Sequence, residues 1–125
     1  MKIIQDKLIA RGKLVGKRFS ISEDILIDTG AAFTVVPVEV ADFLELRSYE
    51  EQPKVELVTA SGLIKPSVKI LERLEIGNIK MERLPVVIHD IPDPAPIKIL
   101  LGMNFIKRTK FVVNGKEKLF EIEDP

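Results

Sequence analysis

The stretch Ile25-Leu26-Ile27-Asp28-Thr29-Gly30-Ala31 places a carboxylate directly after three apolar residues. A short apolar run bounded by turn residues is typical of a buried strand. An Asp at the end of such a strand must be hydrogen-bonded, paired or functional, because burying an unpaired charge is costly. Thr29 adds a hydroxyl that can donate and accept, and Gly30 allows a close backbone approach or a positive φ angle. The stretch therefore predicts a strand that presents an acid in a tight loop.

A plain turn is the alternative interpretation of the same residues. Asp in a turn commonly hydrogen-bonds its own backbone, and Asp28-Thr29-Gly30 has the composition of such a turn. The rest of the chain has to decide between the two interpretations.

The composition indicates a globular chain without a strong electrostatic bias. Of its 125 residues 46% are hydrophobic, and 19 basic and 19 acidic residues give a formal net charge of zero. This length predicts one domain, residues 1–125. The charge balance argues against nucleic acid or an anionic membrane as a partner.

The cellular compartment is predicted from what the sequence omits. It contains no cysteine, and therefore no disulfide, thiolate metal ligand or Cys nucleophile. The charged residues among positions 2–7 interrupt any apolar run, which argues against a signal peptide or a membrane span. We expect a cytoplasmic protein.

The pattern along the chain is one of many short strands with at most two short helices. Thr34-Val35-Val36 is expected to resume the strand after the Asp28 loop, and Pro37 is placed to start a short helix through about Leu44. We expect turns at Ser22-Glu23-Asp24 and at Gly77-Asn78. The range 54–76 predicts one long hairpin.

The C-terminal third begins with a second apolar run, Ile97–Leu101, which Gly102 stops. Asn104 is placed to cap a short helix through Arg108. Asn114-Gly115 between two apolar stretches predicts a two-residue type I′ turn.

Two motifs in this order resemble the retropepsin-like (clan AA) aspartic proteases, in their bacterial and archaeal single-domain form. The first is Asp28-Thr29-Gly30-Ala31 after an apolar strand, and the second is the apolar-apolar-Gly run ending at Gly102, followed by a helix. In that family the second strand passes close behind the catalytic loop, and its glycine permits the crossing. Met103 differs from the Arg or Asp usual in retroviral members. The resemblance implies an all-β closed barrel of short strands, one domain per chain, active as a two-fold homodimer.

The resemblance also implies an aspartic endopeptidase. Its chemistry needs two carboxylates that face one water, and this sequence has a single Asp-Thr-Gly, so the dyad would pair Asp28 from two subunits. The resemblance makes Asp28, Thr29 and Gly30 catalytic. Ala31 and a substrate-covering hairpin with its tip at Ala60, Ser61 and Gly62 would contact a peptide or protein substrate. We expect no cofactor and no metal, since the one histidine, His89, with scattered carboxylates falls short of a zinc site.

Two other functions fit the same residues. A catalytically silent dimerisation or peptide-binding module could use the same fold, because fold does not determine function. An unrelated small barrel with a fortuitous Asp-Thr-Gly turn would be a monomer in which Asp28 faces no partner carboxylate.

Overall fold

The computed structural model of the chain describes residues 1–49, 57–59, 62–64 and 66–124, with the backbone alone at 57–59 and 62–64. Strands dominate these residues and two short helices connect them, as the sequence predicted. The elements in chain order are β1 (Ile3–Ile4), β2 (Lys7–Val15), β3 (Ser20–Ile27), β4 (Thr34–Val36), α1 (Val38–Phe43), β5 (Arg47–Ser48), β6 (Leu57–Thr59), β7 (Gly62–Ile64), β8 (Val68–Ile76), β9 (Ile79–Ile88), β10 (Leu100–Leu101), α2 (Met103–Ile106), β11 (Lys110–Asn114) and β12 (Leu119–Glu123).

The main sheet closes on itself. Its neighbours follow the order β2-β3-β10-β4-β9-β8, and β8 then pairs with β2 from Gly12↔Ile76 to Val15↔Arg73. The β3–β10 and β4–β9 pairs are parallel, whereas the long hairpins β2–β3 and β8–β9 are antiparallel. The predicted closed barrel is therefore confirmed. No helix in the described ranges is long and apolar enough to cross a membrane.

An apolar core fills the closed sheet. In β8 the buried residues Leu74 and Ile76 are two positions apart, as the period of two requires, whereas the adjacent residues Ile70 and Leu71 are both buried. Phe105 from α2 and Phe120 from β12 pack into the same core. The largest fully buried side chains include Leu14, Ile25, Leu74, Leu101, Phe105 and Phe120.

The predicted turn at Ser22-Glu23-Asp24 is wrong, because β3 continues through it. These polar residues pair in register with β2, Ser22 opposite Lys13 and Asp24 opposite Arg11. Arg11 Nη1 also lies 3.3 Å from Asp24 Oδ1. Cross-strand pairing thus holds residues of low strand propensity in an extended conformation.

The two predicted hairpin turns differ in outcome. Gly77 has a φ of 58° between β8 and β9, which confirms the turn at Gly77-Asn78. The C-terminal hairpin instead pairs Asn114 with Leu119, so its loop has four residues, 115–118, and the two-residue turn is wrong. Asn114 Oδ1 accepts a hydrogen bond from the Glu117 N–H (3.1 Å), which extends the loop beyond Gly115.

Within the long hairpin predicted over 54–76, a hairpin is present in the pairing of β6 with β7, and β8 pairs with β2 and β9. Among the described residues β6 pairs with β7 alone, with Thr59 opposite Gly62, whereas β8 belongs to the closed sheet. Ala60 and Ser61, expected at the tip, lie outside the described residues.

Candidate active site

β3 delivers Asp28 to the loop that connects it with β4. The Asp28 N–H donates to the carbonyl of Leu101 (2.9 Å), which continues the parallel pairing of β3 with β10 by one residue. Asp28 is half-buried, and Thr29 and Gly30 are exposed. The position of the Asp28 main chain is therefore set by the closed sheet.

The Asp28 carboxylate is oriented by its own loop. Oδ1 accepts a hydrogen bond from the Gly30 N–H (2.9 Å), and the Asp28 carbonyl accepts one from the Ala31 N–H (3.2 Å). A Cβ at Gly30 would lie 3.2 Å from Oδ1, so a side chain there would crowd the acid. The turn expected as an alternative is thus present, and it leaves Oδ2 without a hydrogen-bond donor among the described residues.

The second motif holds the far side of this loop. Met103 N–H donates to the carbonyl of Ala31 (2.7 Å), and Asn104 N–H donates to that of Ala32 (3.0 Å). The first N–H groups of a helix have no partner within the helix, and here the loop carbonyls accept them. The Asp28 loop is consequently fastened at both ends to residues 101–104.

Gly102 makes the crossing of the two motifs possible. A Cβ on Gly102 would lie 2.7 Å from the Thr34 nitrogen and closer still to the carbonyl group of Phe33. Real Cβ atoms do not approach backbone this closely. The close passage behind the loop that the resemblance implied is therefore present, and glycine is the residue that permits it.

Thr34 and Asn104 form a hydrogen-bond cluster that the sequence analysis missed. The fully buried Thr34 hydroxyl donates to Asn104 Oδ1 (3.0 Å) and accepts from the Gly102 N–H (3.2 Å). Asn104 Oδ1 also accepts from the Thr34 N–H (3.0 Å), and Nδ2 donates to the carbonyl of Pro85 (2.8 Å). A polar Thr34 before two buried valines was the available signal, because a buried hydroxyl requires a partner.

The predicted capping role of Asn104 is wrong. Gly102 occupies the position before the first helical residue, and α2 ends at Ile106 instead of Arg108. The Asn104 side chain instead crosslinks β4, β9 and α2.

The other predicted site residues stand as follows. Ala31 is half-buried in the Asp28 loop, and Gly62 begins β7. Within the described part of the chain, no group of three or more His, Cys, Asp or Glu side chains is placed to hold a metal ion.

A family model and solved structures that are similar to this chain describe aspartic proteases. No curated protein matches the sequence. The structure is similar to a retropepsin-like aspartic protease from Rickettsia conorii, with a TM-score of 0.69 and 20% identity over 98% of this chain and 86% of that one. It is also similar to the EIAV protease complexed with the inhibitor HBY-793, with a TM-score of 0.61 and 15% identity over 86% of this chain and 91% of that one. Residues 10–105, which include Asp28 and Gly102, match a family model described as aspartyl protease. The chain therefore belongs to the aspartyl protease family and has the retropepsin-like fold.

Proposed function

We propose that this chain is an aspartic endopeptidase, with Asp28 as its catalytic acid. One observation carries the proposal. In this member of the family, hydrogen bonds attach the Asp28 loop to residues 101–104 on both sides, and Asp28 Oδ2 has no hydrogen-bond donor among the described residues. A rigid carboxylate with one oxygen available can hold a water molecule and take its proton.

The second carboxylate of the dyad comes from a second copy of the chain. The sequence has one Asp-Thr-Gly, and a two-fold interface brings each residue close to its own copy. Two facing carboxyl groups cannot both ionise at low cost, so the pair shares a proton. One carboxylate then activates water, while the other, protonated, donates to the scissile carbonyl.

The neighbouring residues have supporting roles in this proposal. The Thr29 hydroxyl, exposed in the loop, bonds across the dimer axis and holds both loops in place. Gly30 keeps space around the acid, and Ala31 is small enough for the loops to approach. An extended substrate lies between the dyad and the hairpins that carry Ala60, Ser61 and Gly62, bound largely through main-chain hydrogen bonds.

Residues 1–125 act as one protease domain in this proposal, without a cofactor, and the protein works in the cytoplasm. Fractionation of cells that produce the protein tests the location, and its recovery with membranes would contradict it.

The test is cleavage of an unstructured protein mixture between about pH 3 and pH 8, with Asp28→Asn in parallel. We expect cleavage by the wild-type protein and none by the variant, because Asn can neither take the proton of water nor donate it as an acid. Cleavage that survives Asp28→Asn would refute the mechanism.

Mixed subunits test the dimeric dyad separately. When wild-type and Asp28→Asn chains are mixed in equal amounts and exchange freely, about a quarter of the dimers carry two aspartates. Activity should fall to about a quarter of that of the same total chain, whereas a fall to half would mean that each chain works alone. A dimer without cleavage under any condition would favour the silent module.

A further inference from the structure

A groove runs beside α1, away from the Asp28 loop. Three adjoining surface cavities of about 690, 240 and 360 Å³ share Glu39 and extend from the proline-rich loop 90–96 to the end of α1. We name it the α1 groove, and its lining includes Glu23, Asp24, Glu39, Val40, Phe43 and Lys98.

One wall of the α1 groove is an unpaired strand edge. β10 pairs with β3 only at Leu26 and Ile27, and no other described strand occupies that edge. Leu26 donates its N–H to the carbonyl of Ile99 (3.0 Å) on this side. Main-chain groups alternate between the two edges of a strand, so Asp24 and Ser22 direct their N–H groups to the same side. The Ser22 carbonyl accepts a hydrogen bond from Arg11 Nη2 (2.9 Å), so the Ser22 and Asp24 N–H groups are the donors that this edge offers to another extended segment.

The charge of the α1 groove favours a cationic occupant. Six carboxylates and one lysine line its cavities, although the whole chain has a formal net charge of zero. Lys98 lies 3.0 Å from Asp93 Oδ1, and Arg11 lies 3.3 Å from Asp24 Oδ1, so four of the six carboxylates have no cationic partner among the described residues. Complementary charge steers a partner and selects its sign. The acids are Glu23, Asp24, Glu39, Asp42, Asp90 and Asp93.

An exposed aromatic pair lies at the α1 end of the groove. Phe43 lines the cavity with 51% of its surface exposed, and Phe19, 43% exposed, places its ring centroid 5.4 Å from that of Phe43. The Arg18 guanidinium lies over the Phe19 ring, 5.3 Å from its centroid. Large apolar side chains exposed together mark an interaction surface.

We propose that the α1 groove binds an extended segment of a partner protein in which basic and apolar residues alternate. The segment adds to β3 as a strand, its basic side chains face the carboxylates, and an apolar side chain packs on Phe43. Asp24 precedes Asp28 by four residues, about 13 Å along a strand, so this site is distinct from the proposed dyad. Binding does not depend on cleavage.

The first test is fluorescence anisotropy of a labelled ten-residue peptide that alternates Lys or Arg with Leu or Phe, titrated with the full chain carrying Asp28→Asn. We expect saturable binding that weakens as salt rises. A peptide with Glu in place of each basic residue should bind at least tenfold more weakly. Methylation of alternate peptide nitrogens, which removes the donors of strand addition but no charge, should have a similar effect.

Variants of the groove locate the binding. Glu39→Lys, in the background of Asp28→Asn, should weaken binding at least fivefold, because Glu39 borders all three cavities. Glu82→Lys makes the same charge change on an exposed residue of β9 outside the groove and should leave binding unchanged. Ser22→Pro removes an outward N–H from β3 and should weaken binding, with thermal melts to verify folding.

Three results would overturn the proposal. Equal affinity of the Glu39→Lys and parent proteins would place the peptide elsewhere, including the proposed substrate cleft. Full affinity of the methylated peptide would exclude strand addition. Absence of binding by the basic peptide at millimolar concentration would exclude the groove as a peptide site. Cleavage by the wild-type protein is independent of all three results, so failure here and failure of the protease mechanism remain distinguishable.

Discussion

At the scale of single residues, Gly102 controls whether the two motifs can cross. Gly102→Ala would place a Cβ against the backbone of Phe33 and Thr34, which cannot move without the Asp28 loop. We expect a loss of about 3 kcal/mol or more in the free energy of unfolding, measured by urea denaturation.

Gly115→Ala is the matched control for this substitution, because a Cβ there meets no atom within 4 Å. We expect its free energy of unfolding to stay within about 0.5 kcal/mol of wild type. Equal stability of the two alanine variants would contradict the close crossing.

Thr34 supports the same loop through its hydroxyl. Thr34→Val keeps the shape of the side chain but removes a donor to Asn104 and an acceptor for the buried Gly102 N–H. We expect it to destabilise the protein by about 2 kcal/mol, since buried polar groups left unsatisfied cost about this much. Thr34→Ser keeps the hydroxyl, loses one buried methyl group and should cost about 1 kcal/mol in the same denaturation experiment. A valine variant as stable as the serine variant would show that the hydroxyl is dispensable.

The residues of the candidate site differ in how far sequence alone could reveal them. Asp28, Thr29 and Gly30 are adjacent in the chain, so their pattern could be recognised locally. Asn104 acts through Thr34, 70 residues away, and no local pattern reports such a partner. Propensity therefore suggested a helix cap for Asn104, and tertiary hydrogen bonds gave it a different role.

At the scale of elements, β12 contains two acids, Glu121 and Glu123, whose interaction depends on pH. A side-chain hydrogen bond with Glu123, reinforced by charge repulsion, raises the pKa of Glu121 above its usual value. A raised pKa means that the protonated form is favoured in the folded state, so this stabilisation is present in acid and is lost as the pH rises through the raised pKa. The C-terminal hairpin should therefore lose some stability as the pH rises from acid through the raised pKa of Glu121.

Glu121→Gln should remove this pH dependence, because the amide can donate at every pH. We expect its melting temperature to exceed that of wild type at pH 7 and to approach that of wild type near pH 4. Glu117→Gln removes a charge from the loop of the same hairpin, outside the pair, and should show no such pH-dependent gain. A gain of equal size at both pH values would refute the shared hydrogen bond.

Predictions at the level of elements were correct where the local preference of the residues agreed with the pairing of the strands. Gly77-Asn78 marked its turn because a positive φ angle favours glycine. The sequence predicted a turn at Ser22–Asp24 because these residues favour turns by themselves. In the structure, pairing with β2 keeps them in the extended strand β3. Similarly, Asn114-Gly115 has the composition of a two-residue turn, but the pairing of Asn114 with Leu119 produces a longer loop.

At the scale of the whole molecule, the proposed enzyme requires two chains. A tandem protein, in which a flexible linker joins two copies, should cleave substrate with a specific activity that is independent of dilution. The separate chains should lose specific activity on dilution as dimers dissociate.

The tandem protein also allows one aspartate to be removed at a time. Asp28→Asn in one half should lower activity at least a hundredfold, because one carboxylate cannot serve as base and acid together. Retention of half the activity would mean that each copy carries a complete site.

The hydrogen bonds between the Asp28 loop and residues 101–104 can form only after both segments have been synthesised. A ribosome adds Asp28 before Asn104, which binds Thr34 and follows it by 70 residues. Between these two points of synthesis the growing chain therefore carries the acid without all the partners that hold its loop. Any protein that contacts the nascent chain in that interval therefore does so before the Asp28 loop is held in place.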